Sequence, residues 1–269
     1  MTPRVAVVIP YWNAGGTIDR ALDSVASQTA PPARVVVVDD GSDAPNRASL
    51  TNATGRLRGF AVEIVRLEQS GGPGAARNVG WNRVVDDVTY VAFLDADDEW
   101  APRKLEIQQH WMAEHRSFAW SGHQCVRPGT VSSPVSQWCE AKPPFRYRNL
   151  QGLSLLMRNT VATPTVMVRA EVPIRFREGW RQCEDLLLWL DLLDHGWAGA
   201  MLLVPLCRLG RVPGTAGGLT GDMDGMLRHE WRLARTLHAE GRLSWPAKWA
   251  AQAVRWLAWR RRRRRVASC

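Results

Sequence analysis

Three short apolar runs set the frame of this chain: Val5–Ile9, Arg34–Val38 and Thr89–Leu94, with Val62–Leu67 as a fourth candidate. Each is rich in Val or Ile and bounded by Gly, Pro or Asp, as expected of strands buried on both faces. Between them the period lengthens to that of a helix. Ile18, Leu22 and Val25 share one face of a helix predicted over Thr17–Gln28, with Thr17 as its N-cap. Further helices are predicted over Gly74–Val85 and over Pro102–His115, the latter with proline in its first turn. This alternation predicts an α/β fold built on a mostly parallel sheet. In such sheets ligands gather beyond the C-terminal ends of the strands.

Downstream the pattern loosens. Trp120–Arg148 has little periodicity and several Pro and Gly, which predicts loops with short strands facing a substrate. Thr163–Arg169 and Ala198–Cys207 read as strands and Glu184–Leu193 as a helix. A helix is predicted from about Asp224 to Glu240, closed by Gly241, and a last one begins near Ser244 and Pro246. No internal repeat is visible.

Charge sharpens this division. The chain has 269 residues and a net charge of +9, but no acidic residue follows Glu240, whereas nine basic ones do: Arg242, Lys248, Arg255 and Arg260 to Arg265. The basicity belongs to the tail and says nothing about the body. The five cysteines are scattered, odd in number and lack a C-x-x-C pair, which fits a reduced, cytoplasmic chain better than a disulfide framework or a zinc site. No run approaches the roughly 20 apolar residues of a membrane span. Because Val5 already begins a strand pattern, no secretory leader is expected.

The strand ends carry the candidate chemistry. Thr89–Leu94 runs into Asp95-Ala96-Asp97-Asp98, and carboxylates crowded there are costly unless something binds them. Mg²⁺ or Mn²⁺ would do so, since both favour oxygen ligands shared with substrate phosphates; an ordinary acidic turn is the alternative. The first strand ends in Pro10-Tyr11-Trp12-Asn13 and the second in Asp39-Asp40-Gly41-Ser42. An aromatic there could stack on a nucleobase and a carboxylate could accept its N–H, or the two could be packing and a turn. Gly71 to Gly80 is a glycine-rich loop entering a helix, suited to phosphate with Arg77 adding a charge-assisted bond, or else to close packing. It is not a Walker loop, because no Gly-Lys-Ser/Thr follows.

Taken in order, Val7-Val8-Ile9-Pro10-Tyr11-Trp12-Asn13, Val37-Val38-Asp39-Asp40-Gly41-Ser42, Gly74-Ala75-Ala76-Arg77-Asn78-Val79-Gly80 and Phe93-Leu94-Asp95-Ala96-Asp97-Asp98 resemble the family 2 glycosyltransferases, which have the GT-A fold. The resemblance is strong over residues 4–110 and extends more weakly to about 215. It implies a nucleotide-sugar donor. Asp95-Ala96-Asp97 would be the metal-binding D-x-D, with Asp97 the direct ligand of Mg²⁺ or Mn²⁺ and Asp95 nearer the ribose. Pro10, Tyr11, Asn13 and Asp40 would line the base and ribose pocket, and Arg77 would lie near the nucleotide. Lys104 is either a diphosphate contact or a helix-surface lysine. Glu184-Asp185 resembles the family's Glu-Asp pair at the head of a helix. Inversion at the anomeric carbon needs a carboxylate that removes the acceptor's proton, and the resemblance gives that part to Asp185 with Glu184 in support. Arg208 and Arg211, before the glycine-rich stretch Gly214 to Gly221, match the family's closing loop only loosely, and His195 reads as a helix-end residue.

The resulting expectation is a GT-A domain over 1–221, with a nucleotide-sugar half (1–115) and an acceptor half (116–221), followed by a helical tail over 222–269. It would be an inverting enzyme using a UDP-sugar by default and a lipid-linked, polysaccharide or cell-envelope acceptor. A non-catalytic scaffold and a nucleotidyltransferase are the competing readings. In the tail, Trp245, Trp249, Trp256 and Trp259 fall within about 80° of a helix, flanked by Lys248 and Arg255 and followed by six Arg. That composition predicts an interfacial helix on an anionic membrane, peripheral on the cytoplasmic face, with no specific nucleic-acid partner. Docking of the helix on the body, or nonspecific contact with nucleic acid, are the alternatives.

Overall fold

A computed structural model of the chain describes residues 3–57, 59–130, 135, 142–211 and 222–267. The first four strands, β1 (Val5–Tyr11), β2 (Arg34–Asp39), β3 (Ala61–Arg66) and β4 (Tyr90–Phe93), pair in parallel in the order β3-β2-β1-β4. Five more follow: β5 (Glu99–Trp100), β6 (Trp120–Val126), β7 (Tyr147–Asn149), β8 (Met167–Arg169) and β9 (Gly199–Arg208). They extend the sheet as β4-β8-β6-β9-β5, with β7 on β9. β8 is antiparallel to both neighbours and β5 and β7 are antiparallel to β9, while β6 and β9 are parallel. The mostly parallel sheet expected from the sequence thus describes the half formed by β1 to β4, where helical crossovers enforce parallel pairing; the other half is mixed.

Alternation along the central strands divides the core in two. Val5, Val7, Ile9 and Tyr11 of β1 point into one layer, with Val35 and Val37 of β2. Ala6 and Val8 point into the other, with Val36 and Val38. Helices α1 (Ile18–Ala26), α2 (Ala44–Gly55) and α4 (Lys104–Glu114) cover the first layer through Ile18, Leu22, Leu50, Leu105 and Trp111. The second is covered by α3 (Pro73–Val84), α5 (Gly152–Met157), α6 (Glu184–Asp194), α7 (Met223–Ala239) and α8 (Trp245–Ala267), through Trp81, Leu155, Leu187, Leu233 and Ala251.

The local differences have physical causes. Thr17 occupies the N-cap of α1, but its hydroxyl donates to the Ala14 carbonyl (3.2 Å) and does not cap the helix. α2 was not evident from periodicity, because only Leu50 and Ala53 of it are buried; it is started by Asp43, whose carboxylate accepts from Asn46 N at 3.0 Å. Thr163–Thr165 is a turn of 3₁₀ helix, so the strand expected over Thr163–Arg169 begins only at Met167. Trp120–Val126, expected among loops and short strands, is a seven-residue strand inside the sheet.

α6, α7 and the turn into α8 are tied together by charge. Arg177 meets Asp191 at 2.7 Å and Glu240 at 2.5 Å, and Arg242 meets Asp191 at 2.7 Å. Asp191 is buried, so both guanidinium partners are needed to hold its charge there.

Candidate functional site

The ends of β1, β2 and β4 open on one edge, as parallel strands require. After β1 the chain turns at Asn13, whose φ of 47° is left-handed, a conformation asparagine tolerates. Its side chain accepts from Asp43 N at 3.0 Å, and its own N–H donates to Ser42 Oγ at 3.0 Å, so the ends of β1 and β2 are stitched together. Pro10 is half-buried and Asn13 exposed at this edge.

Two expected nucleotide contacts are placed differently from what their position suggested. The Tyr11 ring is buried in the core, and its hydroxyl donates to the Asn46 carbonyl at 2.7 Å. Burial, with Asp39 nearby, raises that hydroxyl to about 12. The stacking face expected of Tyr11 is therefore turned away, and what it presents at the strand end is backbone. Trp12, beside it, is exposed. Asp40 is also buried, its carboxylate accepting from Ser70 Oγ (2.8 Å), Gly71 N (2.8 Å) and Gly72 N (2.9 Å). It pins the glycine-rich loop against β2. Lys104 is fully buried over the Trp100 ring, 3.8 Å from its centroid, and is neither a surface lysine nor placed to meet a diphosphate.

At the end of β4 the three carboxylates part company. Asp98 is buried and accepts from Gly210 N at 2.7 Å. A Cβ on Gly210 would overlap the Asp97 carbonyl, so the chain past β9 lies directly on this turn. Asp97 stays half-buried, its carboxylate 3.0 Å from Arg211 Nε and its carbonyl accepting from Arg20 at 2.7 Å. Burial and the Asp95 charge push its carboxyl upward, and Arg211 and Arg20 only partly oppose this. Ala96, between them, is buried, and its small side chain lets the turn close. Arg208 pairs with Glu99 at 4.0 Å across β9 and β5. The stretch Gly214 to Gly221 lies outside the described residues.

Asp95 faces the opposite way, toward α3 and α6. Arg77 donates to it through one guanidinium nitrogen (2.6 Å) and to Glu184 through the other (3.0 Å). Burial works against the charge on Arg77, but Asp95 and Glu184 more than offset it and hold the arginine cationic. α6 reaches this point because Gly74 has no side chain: a Cβ there would press on Glu184 Cγ and Phe176 Cβ. Cys183, just before α6, takes a left-handed φ of 61°, a costly conformation for a non-glycine residue. Glu184 is buried and Asp185 half-buried. Burial and the neighbouring carboxylate raise Glu184 to about 7, with Arg77 restraining the shift; burial raises Asp185 as well. Asp185 Oδ2 is 3.5 Å from Asn159 Nδ2 and 3.4 Å from the Thr163 hydroxyl. His195 ends α6, as expected, with Nδ1 2.7 Å from the Asp191 carbonyl.

Sequence patterns gave no warning of Arg20, Asn159, Thr163 or Gly210. Each lies in an element of different origin, and only the folded sheet assembles them. Among the described residues, no three His, Cys, Asp or Glu side chains form a ready-made metal cage. The chemistry at Asp97 is nonetheless compatible with a hard divalent cation: its donors are oxygen, and the cation would take the place that Arg211 now holds at 3.0 Å on the carboxylate.

The architecture is that of the GT-A fold. Its fold matches the Staphylococcus aureus TarS fragment 1–349, solved in complex with UDP-GlcNAc (TM-score 0.62, 21% identity, 86% of this chain and 65% of that one). It also matches the mannosyltransferase PcManGT from Pyrobaculum calidifontis, solved with GDP-Man and Mn²⁺ (TM-score 0.59, 16% identity, 94% and 69%). The model of glycosyl transferase family 2 matches residues 6–168, more than half of the chain, and the chain belongs to that family. TuaG of Bacillus subtilis, whose name assigns it to teichuronic acid biosynthesis, is 31% identical over 199 residues, 72% of this chain and 74% of TuaG. The succinoglycan biosynthesis protein ExoW of Rhizobium meliloti is 41% identical over 103 residues, 38% of this chain but only 32% of ExoW. The chain is accordingly a glycosyltransferase.

Proposed function

We propose that this enzyme transfers a sugar from a nucleoside diphosphate, UDP by default, to a hydroxyl of a lipid-linked, polysaccharide or cell-envelope acceptor, with inversion at the anomeric carbon. The observation that carries the reading is the Arg77 bridge, 2.6 Å to Asp95 and 3.0 Å to Glu184. The end of β4 and the head of α6 lie within the span of one guanidinium, which supports direct transfer between two bound substrates.

Asp185 is the general base. It is the more exposed of the pair, and its raised pKa makes it a better proton acceptor than an ordinary carboxylate. Asn159 and Thr163 orient it, and Glu184, tied to Arg77, keeps the head of α6 in register. Asp97 would hold Mg²⁺ or Mn²⁺, and Asp95, its carboxylate held by Arg77, would lie nearer the ribose. When bound, the metal offsets charge on the departing diphosphate. Pro10, Asn13, the Tyr11 backbone and the Asp40-pinned loop shape the base and ribose pocket. The names of TuaG and ExoW support an envelope or exopolysaccharide acceptor. The fold neighbours hold UDP- and GDP-sugars alike, so they do not choose the donor. We place the reaction in the unit 1–221, at the cytoplasmic face of a membrane reached through the helices that follow.

The test is a screen of UDP-, GDP- and dTDP-sugars with Mn²⁺, reading donor hydrolysis and transfer. Asp185→Asn is expected to lower kcat by about 10²–10⁴-fold while donor binding persists. Asp97→Ala is expected to abolish metal-dependent donor binding. Full activity in both variants would overturn the assignment.

A further inference from the structure

We infer that the outer face of α8 docks on an anionic lipid surface, with its tryptophans in the interface and its arginines on the headgroups. This deepens the membrane placement proposed above and does not depend on the identity of the donor.

The argument starts from what holds the helix on the body. Its inner side is Ala247, Ala251 and Arg255, packed with Leu243 against the second core layer. Arg255 is buried: it meets Glu230 at 3.0 Å and donates to the Leu156 carbonyl at 2.7 Å, at the end of α5. The sequence had set Arg255 beside the lipid-facing stripe, but an arginine that caps α5 and neutralises a buried glutamate is unavailable to headgroups. Trp259 also leaves the stripe, since its Nε1 donates to Asp224 of α7 at 2.9 Å. These bonds fix the rotation of α8 about its axis.

With the rotation fixed, the opposite face is defined. At 3.6 residues per turn, Trp245, Trp249, Trp256, Leu257, Arg260 and Arg263 fall within an arc of about 120° centred opposite Ala251 and Arg255. Trp245 is 61% exposed, Trp249 52%, Leu257 46% and Trp256 38%, a concentration of large apolar groups that isolated surface residues do not produce. Cations accompany the rings: Lys248 lies over Trp249 at 5.4 Å and Arg260 over Trp256 at 5.3 Å. No acidic residue follows Glu240, and Arg263 meets Asp224 of α7 only at 4.0 Å in an exposed pair that leaves most of its charge open to solvent. No helix among the described residues is long and apolar enough to cross a membrane. Tryptophan backed by exposed arginine matches the boundary between headgroups and acyl chains, where an amphipathic ring and a cation are both satisfied. A protein partner would need a matching acidic, apolar groove; a bilayer containing anionic lipid supplies both properties anywhere on its surface.

The test uses the full chain with sedimented vesicles of phosphatidylcholine alone or mixed with phosphatidylglycerol. We expect at least about tenfold tighter binding to the mixed vesicles, weakened by about 0.5 M salt, with a blue shift of tryptophan emission. Trp245→Ser/Trp249→Ser/Trp256→Ser and Arg260→Gln/Arg261→Gln/Arg263→Gln should each lower that binding about tenfold or more, with the donor-induced thermal shift unchanged. Equal binding by the variants, no preference for anionic vesicles, or vesicle-independent self-association lost in the tryptophan variant would overturn the inference. Donor binding without vesicle binding would sink this proposal alone; vesicle binding without any donor effect would sink the proposed donor assignment alone.

Discussion

Arg77 and Glu184 lie 107 positions apart in sequence and are joined by a buried 3.0 Å ion pair. The bond fastens the helix that follows the glycine-rich loop to the helix that carries the candidate base. Its other arm, on Asp95, extends the link to the end of β4.

Replacing that fork by a single ammonium tests the link. Lysine is a point charge and cannot bond two carboxylates in a fixed plane. Arg77→Lys is expected to keep the fold but lower kcat by about tenfold or more, with a smaller change in donor KM, because the base loses its position relative to the donor. Arg77→Met is expected to destabilise the protein by about 3–5 kcal/mol, since it leaves Glu184 buried without its partner. Denaturant titration and steady-state kinetics on both variants check this, and unchanged kcat in Arg77→Lys would remove the link from the mechanism.

Lys104 bears a cost. Its Nζ is buried with no hydrogen-bond acceptor among the described residues, over the face of the Trp100 ring. Desolvation pushes its pKa well below the ordinary lysine value. For a base with a depressed folded pKa, stability is fullest above the unfolded value and falls as pH falls toward the folded one. At neutral pH the protein already carries that loss. Lys104→Met, close in volume, is expected to raise Tm by a few degrees at pH 7, each kcal/mol being worth about 2–4 °C at this size. The gain should shrink toward pH 10. A lower Tm for the variant at pH 7 would show that the amine has a partner worth more than its desolvation.

His123 lies in the same buried region. Desolvation, with Lys104 adding to it, holds the imidazole down at about 3. Nδ1 is 2.9 Å from the Gln124 carbonyl, and Nε2 has no hydrogen-bond partner among the described residues. The neutral ring is what the fold accepts. Its contribution is complete above about pH 6.5, the unfolded value, and is lost as pH falls toward about 3. Within that window it should make wild-type stability fall by up to about 1.4 kcal/mol per pH unit. His123→Asn lacks this titration, so the stability difference between the two proteins should change between pH 7 and pH 5 in favour of the variant. A difference constant with pH would place the wild-type ring in contact with water.

The framework was legible in the order of residues. The Val- and Ile-rich runs of β1, β2 and β4 appear as buried strands because two-sided burial leaves a local record, a short continuous apolar stretch ended by Gly, Pro or Asp. Strand ends in a parallel sheet share an edge, so Asp40, Asp95 and Asp97 could be placed there from order alone. Tertiary structure decided which way each side chain faces. Tyr11 sits where an aromatic could meet a base, yet alternation sends its ring into the core. Asp95, Asp97 and Asp98 are neighbours in sequence and have three different partners, Arg77, Arg211 and Gly210, contributed by α3 and by the segment after β9. Arg255 reads as one more tail cation until α8 is docked and α5 offers it carbonyls and Glu230 a charge. Periodicity reports whether a position is apolar. The partner a buried charge finds depends on long-range packing, because a charge removed from water is held only by groups that the fold brings to it.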